Sequence, residues 1–127
     1  MADPNNLGQP ILDLEFNDGS AWSKYVTLTP ADLEGTKKKG VYIIGRDPAT
    51  TDLAVPPKSG NVSRKHCSIT YDNELGWIIK DEHSTSGTWA HPKTWTQFKF
   101  SVENSNPVVV WNEMVVKTHT YTLTFKI

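Results

Sequence analysis

Three short polar segments carry the residue types that hold a small anion: Gly45-Arg46, then Asn61-Val62-Ser63-Arg64-Lys65-His66, then Ser84-Thr85-Ser86-Gly87-Thr88. Arginine presents a planar fork that matches phosphate oxygens bidentately, while serine hydroxyls and loop N–H groups satisfy the remaining lone pairs. A phosphate dianion needs that combination. Each charge-assisted bond contributes about 1.5–3 kcal/mol, so two or three of them favour a phosphorylated ligand more than about a hundredfold over its unmodified form. Catalysis has less support. A hydrolase would have to combine Ser63 or Cys67 with His66 or His83 and Asp81, but no Gly-x-Ser-x-Gly elbow is present. His66, Cys67, His83 and His91 lack the paired Cys-x-x-Cys or His-x-x-x-His spacing of a zinc site, so no metal and no cofactor is expected.

Segments so far apart in the chain meet only if the fold gathers its loops at one end. Short β-branched and aromatic runs divided by turn residues predict strands at Ile11–Phe16, Lys24–Leu28, Val41–Ile44, Leu53–Val55, Cys67–Tyr71 and Trp77–Lys80. Beyond Gly87, further strands are expected at Trp95–Phe100, Val108–Trp111, Met114–Lys117 and Tyr121–Ile127. Pro30 to Gly40, with Lys37-Lys38-Lys39, reads as a solvated loop. Nowhere does a helical apolar period persist for three turns. A single sheet of so many strands would leave an apolar face uncovered. The expected fold class is therefore all-β: one β-sandwich of about ten or eleven antiparallel strands in two sheets, with connecting loops clustered at its ends. Residues 1–8, rich in Asn, Pro, Asp and Gly, read as a flexible lead-in, and 9–127 as one domain.

Composition narrows the partners. Thirteen Lys plus Arg against fourteen Asp plus Glu leave a net charge of −1, which gives no global field for nucleic acid or an anionic membrane. Any anion must be held locally. The lone Cys67 cannot form an internal disulfide, and no apolar run reaches the length of a membrane span. The N-terminus lacks the charged and apolar blocks of a signal peptide, so an intracellular compartment, nucleus or cytoplasm, is expected. The isolated domain is expected to be a monomer.

The order Gly45-Arg46, Ser63-Arg64-Lys65-His66, Ser84-Thr85-Ser86-Gly87-Thr88 is similar to the signature of the forkhead-associated (FHA) family. There a Gly-Arg pair precedes a Ser-x-x-His element and a Ser-x-Asn-Gly-Thr loop. The resemblance runs from about Ile11 to the closing run Tyr121-Thr122-Leu123-Thr124-Phe125. It implies an FHA/SMAD-like sandwich that binds phosphothreonine-containing segments of partner proteins through its apical loops and is not an enzyme. Carried over by position, Arg46 contacts the phosphate, Ser63 donates its hydroxyl to a phosphate oxygen, Arg64 touches phosphate or peptide, and Thr85 lines the groove around the threonine methyl. Ser86 replaces the asparagine whose amide usually holds the peptide main chain, a shorter reach with fewer donors. Asn61 lies where the family reads a residue beyond the phosphothreonine, and an uncharged amide there gives little reason to expect an acidic preference. Gly45, His66, Gly87 and Thr88 are implied to support the site, His66 through bonds to loop backbone. His91 stands near another position that is usually asparagine.

Blander readings stand beside these. Arg46 can close a turn, Arg64 and Lys65 can be solvated loop charges with Lys65 touching nothing, and Thr85 and Ser86 can be turn residues. The five tryptophans are expected mostly in the core, with Trp89 flanking the binding end. Two other functions remain open: a carbohydrate-binding sandwich stacking Trp22, Trp95 or Trp111 on sugar rings, and a degenerate scaffold that has lost phosphopeptide binding.

Overall fold

The computed structural model of the chain describes residues 10–17, 23–56, 62–94, 99–118 and 121–127. The expected flexible lead-in, Asn61, Trp22 and Trp95 lie outside them. Alternation decides the first strand: in β1 (Leu12–Asn17) Leu12, Leu14 and Phe16 are buried while Asp13 and Glu15 point outward. The same pattern recurs in β10 (Met114–Lys117) through Met114 and Val116, and in β11 (Thr122–Lys126) through Leu123 and Phe125. Together with β2 (Ser23–Leu28), β7 (Thr88–Pro92) and β8 (Phe100–Val102) they form a six-stranded sheet in the order β2-β1-β11-β10-β7-β8.

The second sheet has five strands in the order β4-β3-β5-β6-β9. They are β3 (Tyr42–Gly45), β4 (Leu53–Ala54), β5 (Cys67–Asp72), β6 (Gly76–Asp81) and β9 (Val108–Val109). Its inward residues Ile44, Cys67, Ile69, Trp77 and Ile79 meet Leu12, Phe16, Met114, Leu123 and Phe125 in one core cluster. The expected two-sheet all-β sandwich is the observed fold.

Four details depart from the sequence reading. One strand pair is parallel: β3 and β4 run side by side with Ile44 opposite Leu53 and Gly45 opposite Ala54. The connection manages this in few residues because Thr51 N–H bonds back to Asp47 O at 3.1 Å, a helix-like turn that returns the chain in the same direction. The segment taken as open loop starts with a 3-10 helix, Pro30–Gly35, entered where Thr29 N–H donates to the Asp32 carboxylate at 2.7 Å and anchored by buried Leu33. Within the following lysines, the Lys37 ammonium caps the Pro48 carbonyl, while Lys38 and Lys39 stay exposed. Strand β7 went unforeseen, and β8 runs on from Phe100 to Val102, past the end of the expected strand Trp95–Phe100, whose residues 95–98 lie outside the described ones. Of the described tryptophans, Trp77 is buried, Trp111 packs on the core beside Phe100 at 6.0 Å, and Trp89 is half-buried with the Lys99 ammonium 4.8 Å from its ring.

Cys67 faces the core fully buried, and that burial, aided by the charges of Asp81 and Glu82, pushes its thiol well above the ordinary range. The native chain should therefore resist a disulfide exchange reagent that titrates one thiol after denaturation. Rapid labelling of folded protein would contradict the packing.

Candidate functional site

The site is built on the place where β3 leaves its sheet. The β3–β5 ladder does not stop at the strand ends, since Arg46 N–H donates to Ser63 O at 3.0 Å, Asp47 N–H to Arg64 O at 3.2 Å and His66 N–H to Ile44 O at 2.8 Å. Two chain segments usually splayed as loops are thus zipped together. Only glycine permits this approach, because a Cβ on residue 45 would sit 2.1 Å from Arg64 O and 2.9 Å from Ser63 O.

Arg46 is fixed by its own inner nitrogen. Nε donates to Val62 O at 3.0 Å, so the planar head is oriented and its two terminal nitrogens remain for a ligand. Ser63 is fixed from the other side: Thr85 N–H donates to Ser63 Oγ at 3.0 Å. An oxygen that already accepts from Thr85 directs its own O–H elsewhere. Arg46, Ser63, Arg64 and Thr85 share one open depression of about 540 Å³, whose wall also includes Asp47, Thr50, Lys65 and His83. Of the sequence-predicted ligand contacts, these four come together. Ser86 does not line the depression and is half-buried within its loop.

His66 lies behind this surface, wholly buried. Its Nδ1 accepts from Ser63 N–H at 3.1 Å, which leaves the proton on Nε2 to donate to Gly87 O at 2.8 Å. One ring therefore ties the second polar segment to the third. Gly87 adopts φ +87°, and its N–H donates to Ser84 Oγ at 3.0 Å. Asp81, at the end of β6, anchors the same loop: its carboxylate accepts from Ser84 N–H at 2.9 Å, Ser84 Oγ at 2.5 Å and the buried Thr88 hydroxyl at 2.7 Å. Sequence reasoning placed Asp81 only in a hydrolase. Its sequence signal is an acid three residues before a serine, a side-chain-to-backbone turn. Ser63 and His66 do not form a nucleophile–base pair, because the His66 ring holds backbone groups and Ser63 Oγ accepts from Thr85 N–H. His91 sits on β7 with Nδ1 bonded to Pro92 O at 2.7 Å and is not part of the depression. Among the described residues no group of three or more His, Cys, Asp or Glu is placed to hold a metal ion, and no helix is long and apolar enough to cross a membrane.

The depression is predominantly cationic, with Arg46, Arg64 and Lys65 against Asp47. The Asp47 carboxyl is held below its usual range first by Ala49 N–H, then by the Thr50 hydroxyl, with Arg64 and Lys37 adding attraction. It stays charged at neutral pH and offsets one of the three cations, which leaves a local balance suited to a dianion.

His66→Ala is expected to lower stability by about 2 kcal/mol, since it removes a buried ring and both of its loop ties. Urea unfolding would measure this. An unchanged midpoint would mean that the loops hold themselves.

The family model of the FHA domain matches residues 42–117. No curated protein matches the chain in sequence. Among solved structures, the N-terminal FHA domain of S. cerevisiae Rad53p in complex with a phosphothreonine peptide is similar at TM-score 0.65 and 19% identity, over 93% of this chain and 94% of that one. The FHA domain of CT664 protein from Chlamydia trachomatis gives TM-score 0.61 and 19% identity, over 93% and 98%. The FHA domain of an Arabidopsis thaliana hypothetical protein gives 0.66 and 21%, over 94% and 86%.

Proposed function

The chain belongs to the FHA domain family, and from that premise we propose that it is a phosphothreonine-dependent protein–protein interaction module that performs no chemistry of its own. Arg46 and Ser63 clamp the phosphate, Arg64 contacts phosphate or peptide main chain, and Thr85 lines the space for the threonine methyl. Gly45, His66, Gly87 and Thr88 hold the loops in place. Ser86 supplies a weaker hold on the peptide main chain than an asparagine would. The partner is a protein carrying phosphothreonine, which is made and read inside cells, so nucleus or cytoplasm is the compartment this reading requires.

The observation that carries the reading is the double orientation of the clamp. Arg46 Nε is taken by Val62 O and Ser63 Oγ accepts from Thr85 N–H, so the remaining donors of both side chains are directed by contacts within the protein itself. The Rad53p domain, similar in fold, is seen with a phosphothreonine peptide.

Titration calorimetry with matched phosphothreonine, phosphoserine and unmodified peptides tests it. Losing the phosphate should cost more than about a hundredfold in affinity. Losing one methyl contact should cost about fourfold, the worth of one buried methyl group. Equal affinity for all three peptides would refute the reading and leave the sandwich as a scaffold.

A further inference from the structure

Two exposed side chains in the depression, Lys65 and His83, have no part in the clamp. The β5–β6 ladder ends with Cys67 opposite Asp81, but the pairing continues one step further, where Glu82 N–H donates to His66 O at 2.9 Å. The next residues outward are Lys65 on one segment and His83 on the other. Both residues are exposed, and both line the depression with Ser63 and Thr85. Their neighbour Glu82 alternates to the other face, where it accepts from Ser68 Oγ at 3.0 Å and lies 3.7 Å from the Lys80 ammonium. Of the residues lining the depression the one acid is Asp47, on the β3–β4 connection, where its carboxylate accepts from Ala49 N–H and from the Thr50 hydroxyl, each at 3.0 Å.

His83 is also held at φ +59°, a conformation that residues other than glycine seldom adopt. The turn into Ser84 and Asp81 requires that backbone, and glycine would meet it without strain. A histidine there gives up backbone ease to present a ring at the rim of an anion site, where strained residues often have a functional reason. An imidazole offers an N–H donor in either protonation state, and the lysine opposite adds a full charge.

We propose that Lys65 and His83 form a second subsite, for the carboxylate of an Asp or Glu flanking the phosphothreonine in the same bound segment. This rests on the phosphothreonine reading above. The subsite supplies an acidic preference that Asn61 does not.

The experiment uses the full chain and a phosphothreonine peptide in which a single Glu, or Gln as its neutral match, is walked through the flanking positions. The wild-type chain should bind the Glu peptide about three- to fivefold better than the Gln peptide at one position, the range of an exposed ion pair. Added salt should shrink the ratio. In the chain carrying Lys65→Gln and His83→Gly together the ratio should fall to about one, with no loss of melting temperature. Arg46→Ala separates the two levels. If it leaves phosphopeptide affinity intact, the clamp and the subsite are both wrong. If phosphate dependence and the Arg46 effect hold but the Glu:Gln ratio is one at every position, or survives the double substitution, the subsite is overturned.

Discussion

Arg46→Ala lowers the affinity for a phosphothreonine peptide at least about a hundredfold and leaves the chain folded. The two effects separate because the side chain has two jobs of unequal size. Among the described residues its side chain makes one bond, from Nε to Val62 O, whose loss costs about 1 kcal/mol and a few degrees of melting temperature. Towards a ligand it offers two terminal nitrogens whose charge-assisted bonds to phosphate are worth about 1.5–3 kcal/mol each. Arg46→Lys keeps the charge but loses the fork and the tie to Val62, so it should recover only part of the binding. Calorimetry beside a thermal melt followed by circular dichroism measures both quantities. Undiminished affinity in the alanine variant would remove Arg46 from the site.

Gly45→Ala should be the most damaging alanine substitution among the described glycines. The added carbon would lie 2.1 Å from the Arg64 carbonyl oxygen and 2.7 Å from its carbon, both backbone atoms already zipped to residues 46 and 47. No rotamer change relieves a backbone clash. The two segments must part, and the expected cost is about 3 kcal/mol or more, with a fall of about 10 °C in melting temperature. Binding should fail as well, because the same parting separates Arg46 from Ser63. Gly35→Ala is the control, since nothing lies within 4 Å of the Cβ it would add. Denaturant titration of both variants decides. Equal midpoints would show that the approach at residue 45 is not needed for folding.

The strands that alternate were legible. β1, β10 and β11 carry apolar residues at every second position against one core, and the sequence period matches the burial along them. Strand β3 was legible for another reason, a β-branched and aromatic run buried throughout. β7 escaped because Thr88-Trp89-Ala90-His91-Pro92 has neither a β-branched run nor a clean period, and its small inward residue, Ala90, gives little hydrophobic signal. The parallel β3–β4 pair escaped because β4 is two residues long and direction is not encoded in composition. The 3-10 helix did have a signal, Thr29 with Asp32 three places on, read as ordinary loop chemistry. At the site, Arg46, Ser63, Arg64 and Thr85 were found from residue type and motif order. Lys65 and His83 were not, because no motif joins them and only the folded wall of the depression brings them together.

The His66 ring bridges Ser63 and Gly87, and Thr85 N–H reaches Ser63 Oγ, through contacts made wholly within the protein. A receptor wired in this way has little left to rearrange when it captures its target. Its occupied and empty forms should nearly superimpose. On the phosphothreonine reading, news of phosphorylation would then pass onward by tethering alone: two proteins would be brought within reach of each other, with no change of shape relayed through the sandwich.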